Sequence, residues 1–319
     1  MKKIILFLIF GAFLFSSNVV VGDDMPETPL FYRINIDKEI GATTWRYMQK
    51  GYDEARKAGA AAIILRLNTY GGTVVHADSI RTLILNSSMP VYAFIDNNAA
   101  SAGALIAISC DSIYMREGAN IGAATVVNQT GKAMPDKYQS YMRATIRSTA
   151  EAQGYDTVYT VSGDTEVHWR RNPQIAEAMV DERIVVPGLC DSTKVLTLTA
   201  REALQWGYCE AIAESVDDII TSRLGYWQYK VEQFEPSFYD DLVGFLQNPV
   251  VQGILIMLII GGIYFEIQTP GVGFPLAVSV IAAILYFAPL YLSGLAASWE
   301  ILVFLLGIIL LVLELLVIP

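Results

Sequence analysis

Hydrophobic and polar positions divide the chain into two parts with different periods. Residues 32–36 alternate as a half-buried strand does, and residues 43–58 read as a polar helix closed by Gly59 at its C-terminal stop. The run 61–67, AAIILRL, is continuously apolar, as expected of a strand covered on both faces. The pattern then repeats. A helix is predicted over about 74–86, a strand over 91–95 after Pro90, a small-residue helix over 100–109, a strand over 112–115, a short strand near Ile121 and a helix over 137–153. Such β/α alternation with short connections predicts an α/β domain around a mostly parallel sheet. Beyond Pro249 the pattern changes to three long apolar runs, about 249–267, 272–292 and 299–318, joined by short turns. At ~1.5 Å per residue each is long enough to cross the hydrocarbon core as a helix.

These patterns predict four regions: a signal peptide over 1–22, a folded domain over 29–230, a linker over 231–248 and a three-helix transmembrane domain over 249–319. Lys2 and Lys3 precede an apolar stretch, with Val20 and Gly22 suiting cleavage before Asp23. An uncleaved anchor helix is the alternative, and either one exports the folded domain. No Lys or Arg occurs after Lys230, so charge in the loops cannot orient the spans. Orientation then rests on the exported domain: a multi-pass protein of the cell membrane with its folded domain extracytoplasmic and Pro319 on the cytoplasmic side. Charge narrows the partners. With 22 Lys+Arg against 32 Asp+Glu and no basic run, nucleic acid is excluded as an expected partner. Two histidines and three cysteines without a CxxC pair cannot assemble a zinc set, and no cofactor is expected. An exported domain permits a disulfide, for which Cys190 and Cys209 are the candidate pair; free buried thiols are the alternative.

Two strand ends carry candidate chemistry. After LRLN comes Thr69-Tyr70-Gly71-Gly72, where backbone without side chains can turn amides toward an anion, or can simply turn. After VYAFID comes Asn98-Ala99-Ala100-Ser101-Ala102-Gly103, a serine among near-bare residues at a helix start, readable as a nucleophile or as an N-cap. A glycine pair 29 residues before such a serine is far more specific than either alone.

The run LRLNTYGG, its spacing to NNAASAGA, and the following strand with Gly118 and Gly122 resemble the Clp protease class of the crotonase-like superfamily. The resemblance is to its membrane-bound NfeD branch, the partners of stomatin-like membrane proteins. The segment KVLTLTAREALQWGYCEAIAE, in which Thr199 and Glu202 form a capping box, is similar to a stretch near the end of that domain and of signal peptide peptidase A. The resemblance covers about residues 30–222, while 155–190 match nothing specific.

The resemblance implies a Clp/crotonase-like spiral domain of β-β-α units followed by a helical membrane bundle. It implies Ser101 as nucleophile, the amides of Gly72 and Ala102 as oxyanion hole, and a Ser-Lys dyad completed by Lys137, with Lys132 as the rival lysine. His76 and His168 are weaker candidates, since soluble relatives place a histidine soon after the serine and this chain does not. Tyr70 stands where the family usually has proline, so the turn lacks a fixed φ. Related long forms continue into a further membrane segment and a small β-barrel; a chain stopping at Pro319 is expected to be a short form or a truncated reading frame. The implied function is a membrane-anchored serine endopeptidase cutting apolar segments of membrane-associated proteins, with a stomatin-like protein as substrate or partner, in a homo-oligomer. An inactive scaffold that binds the stomatin-like protein is the alternative. A crotonase acting on acyl-CoA fits poorly, because an exported site would not meet CoA.

Overall fold

The computed structural model describes residues 28–128, 130–159, 165–269, 273–292 and 298–317. The expected signal peptide lies outside the described residues. The α/β portion starts with β1 (Leu30–Ile36), α1 (Ala42–Lys57), β2 (Ala62–Thr69), α2 (Val74–Leu85), β3 (Val91–Ala100), α3 (Ala102–Ser109), β4 (Ser112–Met115) and β5 (Asn120–Gly122). It continues with α4 (Asp136–Ala152), β6 (Tyr155–Tyr159), β7 (Thr165–Trp169), α5 (Pro173–Ala178), β8 (Thr197–Thr199), α6 (Ala200–Gln205) and β9 (Ala211–Ile212). A single turn α7 (Val216–Asp218) runs into a π-helical turn, Ile219–Arg223, before β10 (Lys230–Gln233) and α8 (Phe238–Leu246). Three apolar helices close the chain: α9 (Pro249–Gln268), α10 (Phe274–Leu292) and α11 (Ser298–Val317).

The main sheet runs β10-β1-β2-β3-β4-β9, every neighbouring pair parallel, with β5 continuing beside the far end of β3 and β8 antiparallel to β5. Alternation along the strands sorts the core onto two faces. Ile34, Ile36, Ile63, Leu65, Leu67, Ala93, Ile95, Ile113 and Met115 point into the larger cluster, under α1, α2 and α3. Phe31, Ile64, Phe94 and Tyr114 point the other way, against Val216, Ile219 and Ile220 of the last turns. At about 1.5–3 kcal/mol for each fully buried large aliphatic side chain, this two-sided burial is the main force holding the parallel sheet.

The structure departs from the sequence reading in three places. Residues 231–248, expected to be a linker, hold β10 and α8. β10 extends the sheet, its Val231 registering with Phe31, because backbone pairing with β1 supplies what an apolar pattern did not. Asp240, on α8, accepts from Arg46 of α1 at 3.1 Å, from Lys50 and from Ser237, while Tyr47 donates to Asp241 at 2.9 Å. Residues Tyr155–Tyr159 and Thr165–Trp169, where no element was expected, pair as the antiparallel strands β6 and β7, with Tyr155 stacked on Trp169. All three cysteines are free and buried, so the Cys190–Cys209 pair is not formed.

Of the apolar helices, Pro249–Gln268 and Phe274–Tyr291 are long and apolar enough to cross a membrane, with mean hydropathy 2.1 and 1.9. They pack closely. A Cβ at Gly262 would lie 2.4 Å from the Pro275 carbonyl, and Ser279 Oγ donates to the Ile259 carbonyl at 3.1 Å. Leu246 of α8 joins their cluster with Leu255, Ile259, Ala282 and Ala283.

Candidate active site

The carboxyl ends of β2 and β3 place the glycine pair and the serine side by side. β3 runs on to Ala100, and the helix begins only at Ala102, so Ser101 alone makes the strand-to-helix turn. It does so at φ 55°, ψ −119°, a backbone state that L-residues rarely adopt. Its side chain makes no capping hydrogen bond, so the N-cap reading of this serine fails. The strain is held by Ser101 N–H donating to the Gly122 carbonyl at 2.8 Å and by Ala104 N–H donating back to the Ser101 carbonyl at 3.0 Å.

The glycine turn is pressed against that serine. A Cβ on Gly71, at φ +112°, would stand 2.6 Å from Ser101 Cβ; one on Gly72 would stand 2.1 Å from the Ile40 carbonyl oxygen. Ile40 N–H donates to Gly71 O at 2.9 Å, Thr73 N–H donates to Ile40 O at 2.8 Å, and Gly71 N–H donates to Thr69 Oγ1 at 3.1 Å. Between these committed amides, the N–H of Gly72 has no partner among the described residues. The N–H of Ala102, the first residue of α3, is likewise without an intrahelical acceptor.

Ser101, Gly72 and Ala102 line one cavity of about 50 Å³, whose other walls are Val74, Ala77, Ala124–Val127 and Met142. A serine hydroxyl and two unengaged amides around an apolar space suit attack on a carbonyl, with the developing oxyanion held by the amides. The wall segment is itself tied down. Gln139, buried on α4, accepts from Val126 N–H at 3.0 Å and donates to Val126 O at 2.7 Å, gripping that residue as a neighbouring strand would.

The lysines are not brought into this cavity. Lys137 is exposed on the first turn of α4, its Nζ 5.4 Å from the ring centre of Tyr138. Asp136, just before it, accepts from Arg183 at 2.6 Å, and Arg183 also holds Asp181, whose carboxyl its hydrogen bonds bring down to about 2. Lys132 is exposed in the loop bridged by Val127 and Ala133. His168 sits on β7, and His76 shares a 2.6 Å hydrogen bond with Thr73 Oγ1; burial pushes the His76 imidazole down. His76 borders a different cavity of about 530 Å³, which runs from Thr73 past Tyr47 to Phe245 and Pro249. Sequence reasoning missed this passage because its far wall is α8, in the supposed linker. Among the described residues no cluster of His, Cys, Asp and Glu could hold a metal ion.

Comparison with known proteins accounts for both parts of the chain. Residues 30–170 match the family profile "NfeD1b, N-terminal domain", and residues 250–319 match "NfeD integral membrane domain". Membrane protein NfeD1b of Bacillus subtilis is 32% identical over 305 residues, 95% of this chain and 66% of its own length. Membrane-bound protease PH1510 of Pyrococcus horikoshii is 28% identical over 279 residues, 80% of this chain and 57% of its own length. The chain thus spans about two thirds or less of each of these relatives. Among solved structures, a lysine-to-alanine variant of the 1510-N membrane-bound stomatin-specific protease, in complex with a substrate peptide, matches with TM-score 0.56 at 26% identity, over 69% of this chain and 98% of that one. A serine-to-alanine variant of the same protease matches with TM-score 0.53 at 26% identity, over 66% of this chain and 99% of that one. The expected Clp-class α/β fold followed by membrane helices is the fold found.

Proposed function

The chain belongs to the NfeD family, and from that premise we propose that it is a membrane-anchored serine endopeptidase. Ser101 attacks a peptide carbonyl, and the amides of Gly72 and Ala102 hold the oxyanion of the tetrahedral intermediate. Lys137 takes the serine proton and returns it to the leaving amine. The observation that carries this reading is Ser101 at positive φ between two unengaged amides on one apolar cavity. The similarity to a membrane-bound protease supports the reaction class. The apolar walls Val74, Val126 and Met142 suit apolar residues of the substrate. A stomatin-like membrane protein is the proposed substrate or partner, and the working form is a homo-oligomer. In this reading α9 and α10, joined by α11 as a third span, cross the membrane, and the α/β domain lies on the extracytoplasmic side.

For Lys137 to act, its stem has to leave the Tyr138 ring and turn into the cavity, within hydrogen-bond reach of Ser101. That exposed position favours one other reading, a scaffold of the same fold that binds the stomatin-like protein without cutting it. Activity of the full chain in detergent on an apolar fluorogenic peptide separates the two. The protease reading expects cleavage by the natural sequence, none by Ser101→Ala, equal loss in Lys137→Ala and Lys137→Arg, and little loss in Lys132→Ala. No cleavage by the natural sequence, with a stomatin-like protein still co-purifying, sustains the scaffold. Loss in Lys132→Ala with Lys137→Arg active moves the dyad to the other lysine.

A further inference from the structure

Helix α8 carries large apolar side chains on both its inward and its outward side. Its inward face sets Asp240, Val243 and Leu246 against the domain and the first spans. Its outward face carries Phe238 at 75% exposure, Tyr239 at 75%, Leu242 at 41% and Phe245 at 62%. Phe238, Leu242 and Phe245 are spaced i, i+4 and i+7, one stripe of a helix, where a water-facing stripe would be polar. Asp241, at the edge of that stripe, is turned back to accept from Tyr47.

The position of the helix identifies what covers the stripe. Only Gln247 and Asn248 separate α8 from α9, whose start is set by Asn248 capping Val250 and by Pro249 in its first turn. Two residues reach at most roughly 7 Å, and the interfacial zone on each side of a ~30 Å hydrocarbon core is of similar depth. α8 is also held at that level sideways. Gln247 donates to the Pro289 carbonyl near the end of α10 at 3.3 Å, and Leu246 is part of the cluster between α9 and α10. Among the described residues, nothing covers the four outward side chains.

We propose that α8 lies in the bilayer interface, with Phe238, Leu242 and Phe245 in the acyl-headgroup boundary and the Tyr239 hydroxyl in the headgroup layer, and so seats the α/β domain on the membrane. The partner is the lipid itself. Phenylalanine and tyrosine supply apolar area with a polar tip suited to that zone. The helix has no Lys or Arg, so the contact is apolar and does not depend on anionic headgroups.

The test uses the full chain in phosphatidylcholine vesicles, with a nitroxide on Phe238→Cys or Phe245→Cys and accessibility measured to oxygen and to a water-soluble nickel chelate. Glu151→Cys gives the aqueous reference and Ile260→Cys the lipid reference; the unsubstituted chain gives the background from its three buried thiols. Leu242→Cys, on the same stripe, replaces either variant that does not fold. The expected result is an oxygen-to-nickel ratio several-fold above that at residue 151, approaching that at residue 260. A ratio equal to that at residue 151 overturns the proposal. An immobilised label shielded from both reagents overturns it too, showing a protein surface over the stripe.

Discussion

Adding one methyl group at three glycines separates backbone strain from crowding at the serine. Gly118 is at φ +85° with nothing within 4 Å of where a methyl group would stand, so Gly118→Ala should cost only the conformational strain, about 1–2 kcal/mol. Gly71→Ala adds a contact of 2.6 Å to Ser101 Cβ, which is 0.8 Å short of the 3.4 Å where ordinary contact begins. Strain plus crowding of a Cβ that moves only with its own backbone should total about 2–5 kcal/mol. Gly72→Ala drives its methyl to 2.1 Å from the Ile40 carbonyl oxygen, which cannot swing aside without breaking the bonds joining Ile40 to Gly71 and Thr73. That change should exceed about 4 kcal/mol, the exceptional range for one residue. Urea unfolding of the full chain in detergent, followed by tryptophan fluorescence, reads the order, because four of the five tryptophans lie in the α/β portion. Activity should diverge from stability. Where Gly71→Ala remains folded, a Ser101 displaced by nearly 1 Å should turn over about 100-fold more slowly. A Gly72→Ala protein no less stable than Gly118→Ala would refute the packing argument. A folded Gly71→Ala protein with normal turnover would refute the role given to the position of Ser101.

Acid should loosen the junction between domain and membrane. Burial alone would raise Asp240, but hydrogen bonds from Lys50 and Ser237 outweigh it and hold the carboxyl at about 2. A carboxyl depressed below its unfolded value of ~3.9 stabilises the fold fully above that pH and loses the contribution as pH falls toward about 2. The unfolding midpoint should drop across that window, and Asp240→Asn should flatten the drop; an unchanged slope would count against the ion cluster. The three thiols should resist alkylation in the native chain, since burial raises Cys110 and raises Cys209 to about 12, and react on unfolding. Rapid labelling of the folded protein would contradict their burial. Gln139→Leu removes two hydrogen bonds to Val126 and should raise KM for an apolar peptide more than it lowers kcat; Gln139→Glu, which keeps only the acceptor, should fall between, and unchanged kinetics would dismiss the clamp.

The β/α alternation was legible because the sheet is covered on both faces and its strands are therefore continuous apolar runs, as AIILRLNT shows. The pairing of glycine turn and serine was legible as spacing. The serine's positive φ was not, since Ala-Ala-Ser-Ala-Gly reads equally well as a helix beginning at Ala100. β10 escaped because Lys230–Gln233 is a polar edge strand ordered by its register with β1, a long-range contact without a local pattern. α8 escaped because Pro236 and the Asp240–Asp241 pair look like linker composition, whereas Ser237 and Asp240 form a capping box and Asp240 meets α1. Lys137 was named only through the family resemblance, and a resemblance holds no information on which way a first-turn side chain points.

The bonds from Asp240 and Asp241 to α1 join the domain to the start of α9 with almost no slack. A tether with slack lets a protease sample many heights above a bilayer, whereas this attachment acts as a ruler. Under the proposed function, a membrane-rooted substrate that reaches Ser101 would be cut at a constant distance from the lipid, counted in residues of its own chain. Lengthening the substrate between its membrane anchor and the original cleavage site should leave the cut at the same count from the bilayer, in a different sequence.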